Sequence, residues 1–190
     1  MIPKAKMSAG TAEAEVMQPY SGAVQALHWA MGGGILACFG TVQLAQRSKG
    51  KEKGMYMMYH KSFALLVAAA LPVRLGLRLA SKMPKAVPGN TLEVMAGKAS
   101  HAAMYGFMVF MPVSGIAMGY YGGKGLPFFG YTIPGAETPN GEIAKNAYKY
   151  HKQFGLYFEY LFLAHIGAVG FHLVKGQNIL ARMLPIFKTP

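Results

Sequence analysis

No charged residue occurs between Glu15 and Arg47, and none between Lys98 and Lys124. A helix needs about 20 apolar residues to cross the hydrocarbon core of a bilayer, and both stretches are longer. Two further apolar runs, 59–80 and 151–174, carry few charges. With 53% hydrophobic and 14% charged residues and a mean hydropathy of +0.24, the chain reads as a membrane protein. Helix is the only form open to four such runs, because an open sheet in lipid leaves backbone groups unpaired. The pattern predicts an all-α membrane protein: a four-helix transmembrane up-down bundle with both termini on one side. The spans are expected at about 22–46, 59–80, 99–121 and 151–174.

The net charge is +12, with seven Glu and no Asp. The basic residues sit mainly between the apolar runs, where anionic lipid head groups explain them better than nucleic acid does. Lys and Arg divide ten to nine between the two expected sides, so charge does not set the orientation. Cys38 is the only cysteine, which excludes a disulfide framework, a zinc cluster or an iron–sulfur cluster. With no C-x-x-C-H, any haem is held without covalent attachment. Residues 1–20 lack the apolar core of a secretory signal. They read as an N-terminal extension, followed by a membrane domain over 21–185 and a tail over 186–190.

The first and third spans read as plain hydrophobic helices. The second and fourth carry Arg74, Arg78, His151, Glu159 and His165 into or beside the membrane, where ionisable groups are costly and mark function. Histidines on facing helices are how a bundle holds haem iron or another metal. His151 and His165 are 14 residues apart, which places them about 40° from a shared face and ~21 Å apart along the axis. By depth, His28 pairs with His165 and His60 with His151, giving two bis-histidine sites. Arg74 follows His60 by 14 residues and Arg78 by 18. A guanidinium there can pair with haem propionates near His28 and His165, and snorkelling to head groups is the competing role. The glycines at 32–34 allow either close cofactor approach or tight helix packing.

His101 opens the third span and either meets a propionate or caps the helix. His172, seven residues past His165, is an alternative ligand or an interfacial residue. Glu159 lies roughly 80° off the His151 face and is either a proton relay or a structural partner. In the long loop expected at 122–150, Phe128, Phe129, Tyr131 and Ile133 offer an apolar face, either to cover a bound ring or to anchor the loop at the membrane interface.

The motifs ALHWA around His28, YHKSFALLVAAALPVRLGLRL with His60, Arg74 and Arg78, and SHAAMYGFMVFMPVSGIAM with His101 follow one another in order. GLPFFGYTIPG and YHKQFGLYFEYLFLAHIGAVGFHLVKGQNILARMLP complete the set. Together they resemble the bacterial, nickel-hydrogenase-type cytochrome b561 family over about 20–185. The resemblance implies a four-helix cytochrome with two haem b groups, passing electrons between quinone and a second donor or acceptor. Similar members oxidise superoxide and reduce ubiquinone. By motif match the iron ligands fall on His28, His60, His151 and His165, with Arg74, Arg78 and His101 beside the cofactor. One departure is Ala64, where many members have Gly, so that a methyl crowds the haem face. The expected location is a bacterial or mitochondrial inner membrane. The alternative role is an accessory or anchoring subunit among other respiratory-chain subunits.

Overall fold

The computed structural model describes residues 18–81, 84 and 87–184; the extension over 1–17 and the tail over 186–190 lie outside them. Four helices follow in order: α1 (Gly22–Arg47), α2 (Gly50–Ala80), α3 (Thr91–Tyr121) and α4 (Gly141–Val174). Between α3 and α4 lies an antiparallel hairpin, β1 (Leu126–Phe128) with β2 (Tyr131–Ile133). A 3-10 turn, Ile179–Arg182, follows α4.

Three helices begin well before their apolar runs do. The 34 residues of α4 extend about 51 Å at the helical rise, against a hydrocarbon core of ~30 Å. The early turns of α2, α3 and α4 hold Lys51, Lys53, Glu93, Lys98, Glu142, Lys145 and Lys149, so these helices run on into water. Asn90 and Asn140 start α3 and α4 by accepting hydrogen bonds from Glu93 N at 2.9 Å and Ile143 N at 3.1 Å. The basic loop expected after α1 shrinks to Ser48 and Lys49, with Gly50 at φ +54° making the turn.

α2, α3 and α4 have the length and apolarity to cross a membrane. α1 is uncharged up to Arg47 but less apolar than expected, because Gln25, His28, Gln43 and Gln46 dilute its hydropathy. Gln25 is buried, and Gln43 donates to the Glu159 carboxylate at 3.2 and 3.3 Å. Glu159 is therefore a cross-bundle partner of α1.

The core is Met31 and Ile35 from α1, Val67 and Leu71 from α2, Met104 and Met108 from α3, and Phe158 and Phe162 from α4. Phe39 meets Phe158 and Phe162 edge-on with both ring centres 5.5 Å away. Along each helix this apolar layer falls between the histidine levels. α1 packs closely on α2, and a Cβ on Gly34 would sit 2.8 Å from Val67 Cγ2. No side chain stands within 4 Å of where a Cβ on Gly32 or Gly33 would lie.

Each end of the bundle is closed by a different segment. At one end Arg182 O accepts from Tyr20 N (3.0 Å) and Gln25 Nε2 (3.1 Å), and Met183 O accepts from Trp29 Nε1 (2.7 Å). At the other, Phe129 N donates to Ser62 Oγ at 2.9 Å, and the fully buried Ser62 donates on to Met58 O at 2.8 Å. Phe129 takes a left-handed conformation, φ +44°, to reach this bond. The register pairs Phe128 with Tyr131 and Leu126 with Ile133, which sets Phe128, Tyr131 and Ile133 on one face of the hairpin. Phe129, outside the strands, packs edge-on against Phe63; Leu126 is buried, whereas Tyr131 and Ile133 are exposed, Tyr131 at 81%.

Gly34→Ala is expected to push α1 off α2, costing about 1–3 kcal/mol as other overpacked sites do. The thermal midpoint in detergent falls, and adding Val67→Ala restores part of the loss, so that the two changes are non-additive.

Candidate functional site

α1 and α2 each bring one histidine to the space facing α4, and α4 brings two. At the end closed by the 3-10 turn, the His28 and His165 ring centres are 6.3 Å apart. His101 lies 5.7 Å from His165. It is well inside α3, which begins ten residues earlier at Thr91, so it does not cap that helix. Arg74 Nη2 stands 3.3 Å from His28 Nδ1, and its guanidinium lies 6.0 Å over the Tyr105 ring. Among the described residues, Arg74 Nε and Nη1 find no hydrogen-bond partner although both are buried. Such orphaned charged donors are rare and point to an absent anionic acceptor. Val24, Leu27, Leu77, Tyr105 and the exposed Arg78 complete a small cleft beside it.

At the hairpin end, the His60 and His151 ring centres are also 6.3 Å apart, with planes at 89°. His60 Nδ1 is 2.9 Å from Cys38 O. A carbonyl only accepts, so His60 carries its proton on Nδ1 and leaves Nε2 as a free electron pair. His151 Nδ1 is 2.9 Å from Ser114 Oγ. That hydroxyl has its own acceptors in Phe110 O (2.8 Å) and Met111 O (3.0 Å), so it receives the His151 Nδ1–H. Gly115 makes room for the ring: a Cβ there would lie 3.3 Å from His151 Cε1.

Imidazole bonds to a first-row metal are about 2 Å long. Two such bonds plus the inner half of each ring account for the 6.3 Å found at both ends. Among the described residues no three His, Cys, Asp or Glu side chains form a set that holds a bare ion. Facing pairs suit a metal whose other donors come from a macrocycle. The orphaned Arg74 donors add the counter-charge that a haem carboxylate needs. The residues present fit haem.

His172 is remote from this arrangement: its Nδ1 is 2.7 Å from Gln177 Oε1, and Gln177 Nε2 donates to Pro88 O at 2.7 Å. Ser114, the Cys38 carbonyl and Tyr105 were not singled out from the sequence. Only Ser114 left a signal there, as a hydroxyl on an otherwise apolar run.

A helical membrane bundle with paired histidines facing across it defines a membrane haem protein of electron transport. The chain belongs to the prokaryotic cytochrome b561 family, whose model matches residues 19–185. This places it in the bacterial inner membrane. It is 31% identical over 99 residues to cytochrome b561 homolog 1 of Escherichia coli (strain K12), a match spanning 52% of this chain and 56% of that relative. It is 24% identical over 161 residues to the probable superoxide oxidase CybB of Yersinia pestis, covering 84% of this chain and 92% of that one.

His172→Ala is expected to leave haem content and the reduced-minus-oxidised spectrum of the purified protein unchanged. His165→Ala lowers both.

Proposed function

We propose that the chain is a di-haem b cytochrome carrying electrons across the membrane, with His28 and His165 holding one iron and His60 and His151 the other. The observation that carries this reading is the equal 6.3 Å spacing of the two pairs at opposite ends of the bundle. Haem b, when bound, supplies reversible one-electron chemistry. The protein's part is to fix the ligands and exclude water. Cys38 O and Ser114 Oγ hold two rings by their Nδ1 protons, and Arg74, Arg78 and His101 face the cofactor carboxylates. Met108, Phe158 and the rest of the core separate the two levels with dry, closely packed side chains. Two histidines at each level would leave a bound iron no open site for oxygen, which favours electron transfer over oxygenation.

Exchange with quinone, and superoxide as the donor, is the finer reading, suggested by the relative named as a probable superoxide oxidase. We assign it to the hairpin end. Lys61 there is half-buried and close enough to Lys124 for their charges to repel. Lys145, Lys149 and Lys152 lie on the same side, at the start of α4. This basic rim concentrates a small anion and steers it inward.

The purified chain is expected to hold two haems per protein. His165→Ala and His151→Ala each lose a different one, read from haem content and the low-spin spectra; a ratio of one overturns the reading. In stopped flow, superoxide reduces the haem faster at low salt, and Lys149→Gln with Lys152→Gln flattens that dependence. Haem that neither superoxide nor quinol reduces leaves the accessory-subunit role.

A further inference from the structure

The two histidine pairs are not electrically equivalent. At the hairpin end each ring has an oxygen acceptor for its Nδ1–H: Cys38 O for His60 and Ser114 Oγ for His151, both at 2.9 Å. Ser114 is 7% exposed and lies under the packed helices. Its hydroxyl proton is committed to the α3 backbone, so its lone pair faces His151. An imidazole that donates in this way is more basic, gives more charge to its metal and stabilises the more oxidised state.

At the other end the neighbours have the opposite character. His28 meets the Nη2 donor of Arg74, and His165 meets the rings of His28 and His101. Among the described residues neither ring has an oxygen acceptor in contact. The guanidinium beside them is permanently charged and partly buried, and two of its nitrogens have no partner among the described residues. A cation in such low-dielectric surroundings disfavours the extra positive charge of an oxidised metal.

From this asymmetry we infer a built-in direction of electron flow, from the His60/His151 end to the His28/His165 end, with Ser114 as a positioning residue that sets the lower potential of the first. The inference rests on the two-haem reading above. With haem held at both ends, the group at the hairpin end would be the donor, oxidised by one electron, and the group at the Arg74 end the acceptor, reduced by that electron. One electron moves, no bond forms or breaks, and no proton is needed.

The test is potentiometry of the haem-loaded protein in detergent, followed by absorbance, after haem content has been measured. The wild type gives two steps. Ser114→Ala is expected to move the lower-potential step upward and leave the other in place, whereas Ser114→Thr, which keeps the acceptor, restores it. Arg74→Gln moves the higher-potential step downward, and Arg74→Lys, which keeps the charge, moves it less. Should Arg74→Gln fail to load, the two Ser114 variants decide. A shift of the higher step in Ser114→Ala, or of neither step, overturns the inference while the two-haem reading stands. A haem-to-protein ratio of one overturns that reading itself, before any potential is compared.

Discussion

Polar groups taken into a bilayer have to be answered inside the protein, and this requirement shapes the bundle more than any apolar contact does. Lipid competes with the apolar side chains almost as well as they pack on each other. Histidines, glutamines, a glutamate and an arginine have no such substitute. The protein answers them in three ways. Gln43 closes on Glu159, Gln25 closes on the chain's own backbone at Arg182, and two histidines close on oxygens of α1 and α3. Among the described residues, Arg74 alone keeps buried side-chain donors without protein partners. It stands beside the space that a charged cofactor is expected to fill.

The same bookkeeping explains why α1 falls short in apolarity and still belongs to the bundle. Gln25 and Gln43 face partners within the protein, while Leu36 and Leu44 are exposed. The close approach of α1 to α2 at Gly34 needs no side chain at all. α1 packs chiefly on α2 and α3 chiefly on α4, while the histidines line the space between the pairs.

Much of this was legible in residues. Uncharged stretches longer than a bilayer gave the helices, and 14-residue spacings gave the depth of His151 relative to His165 and of Arg74 relative to His60. The side chains that the structure brings face to face are those that depth alone pairs. Helix starts were less legible, because hydropathy reports where lipid begins, whereas Asn90 and Asn140 cap helices already in water. The pattern N-x-x-E at 90–93 was the available sign. The exposure of the hairpin was less legible than its face: the register sets Phe128, Tyr131 and Ile133 together, but Tyr131 and Ile133 stay exposed, and Phe129, with its left-handed backbone, turns to Phe63. The Cys38 carbonyl had no signature, since a backbone acceptor is the same in every residue.

The 3-10 turn that fastens the chain to Tyr20, Gln25 and Trp29 also fixes the order of events during synthesis. α1 and α2 emerge from the ribosome together and can pair at once. His60 then waits for His151. His28, although made before His60, meets His165 only when α4 has been translated. Its helix is fastened later still, once residues 182 and 183 have emerged. Of the two levels, the cleft beside His28 is therefore the last to close, and a nascent chain stalled before α4 is complete would expose it to the bilayer, half-built.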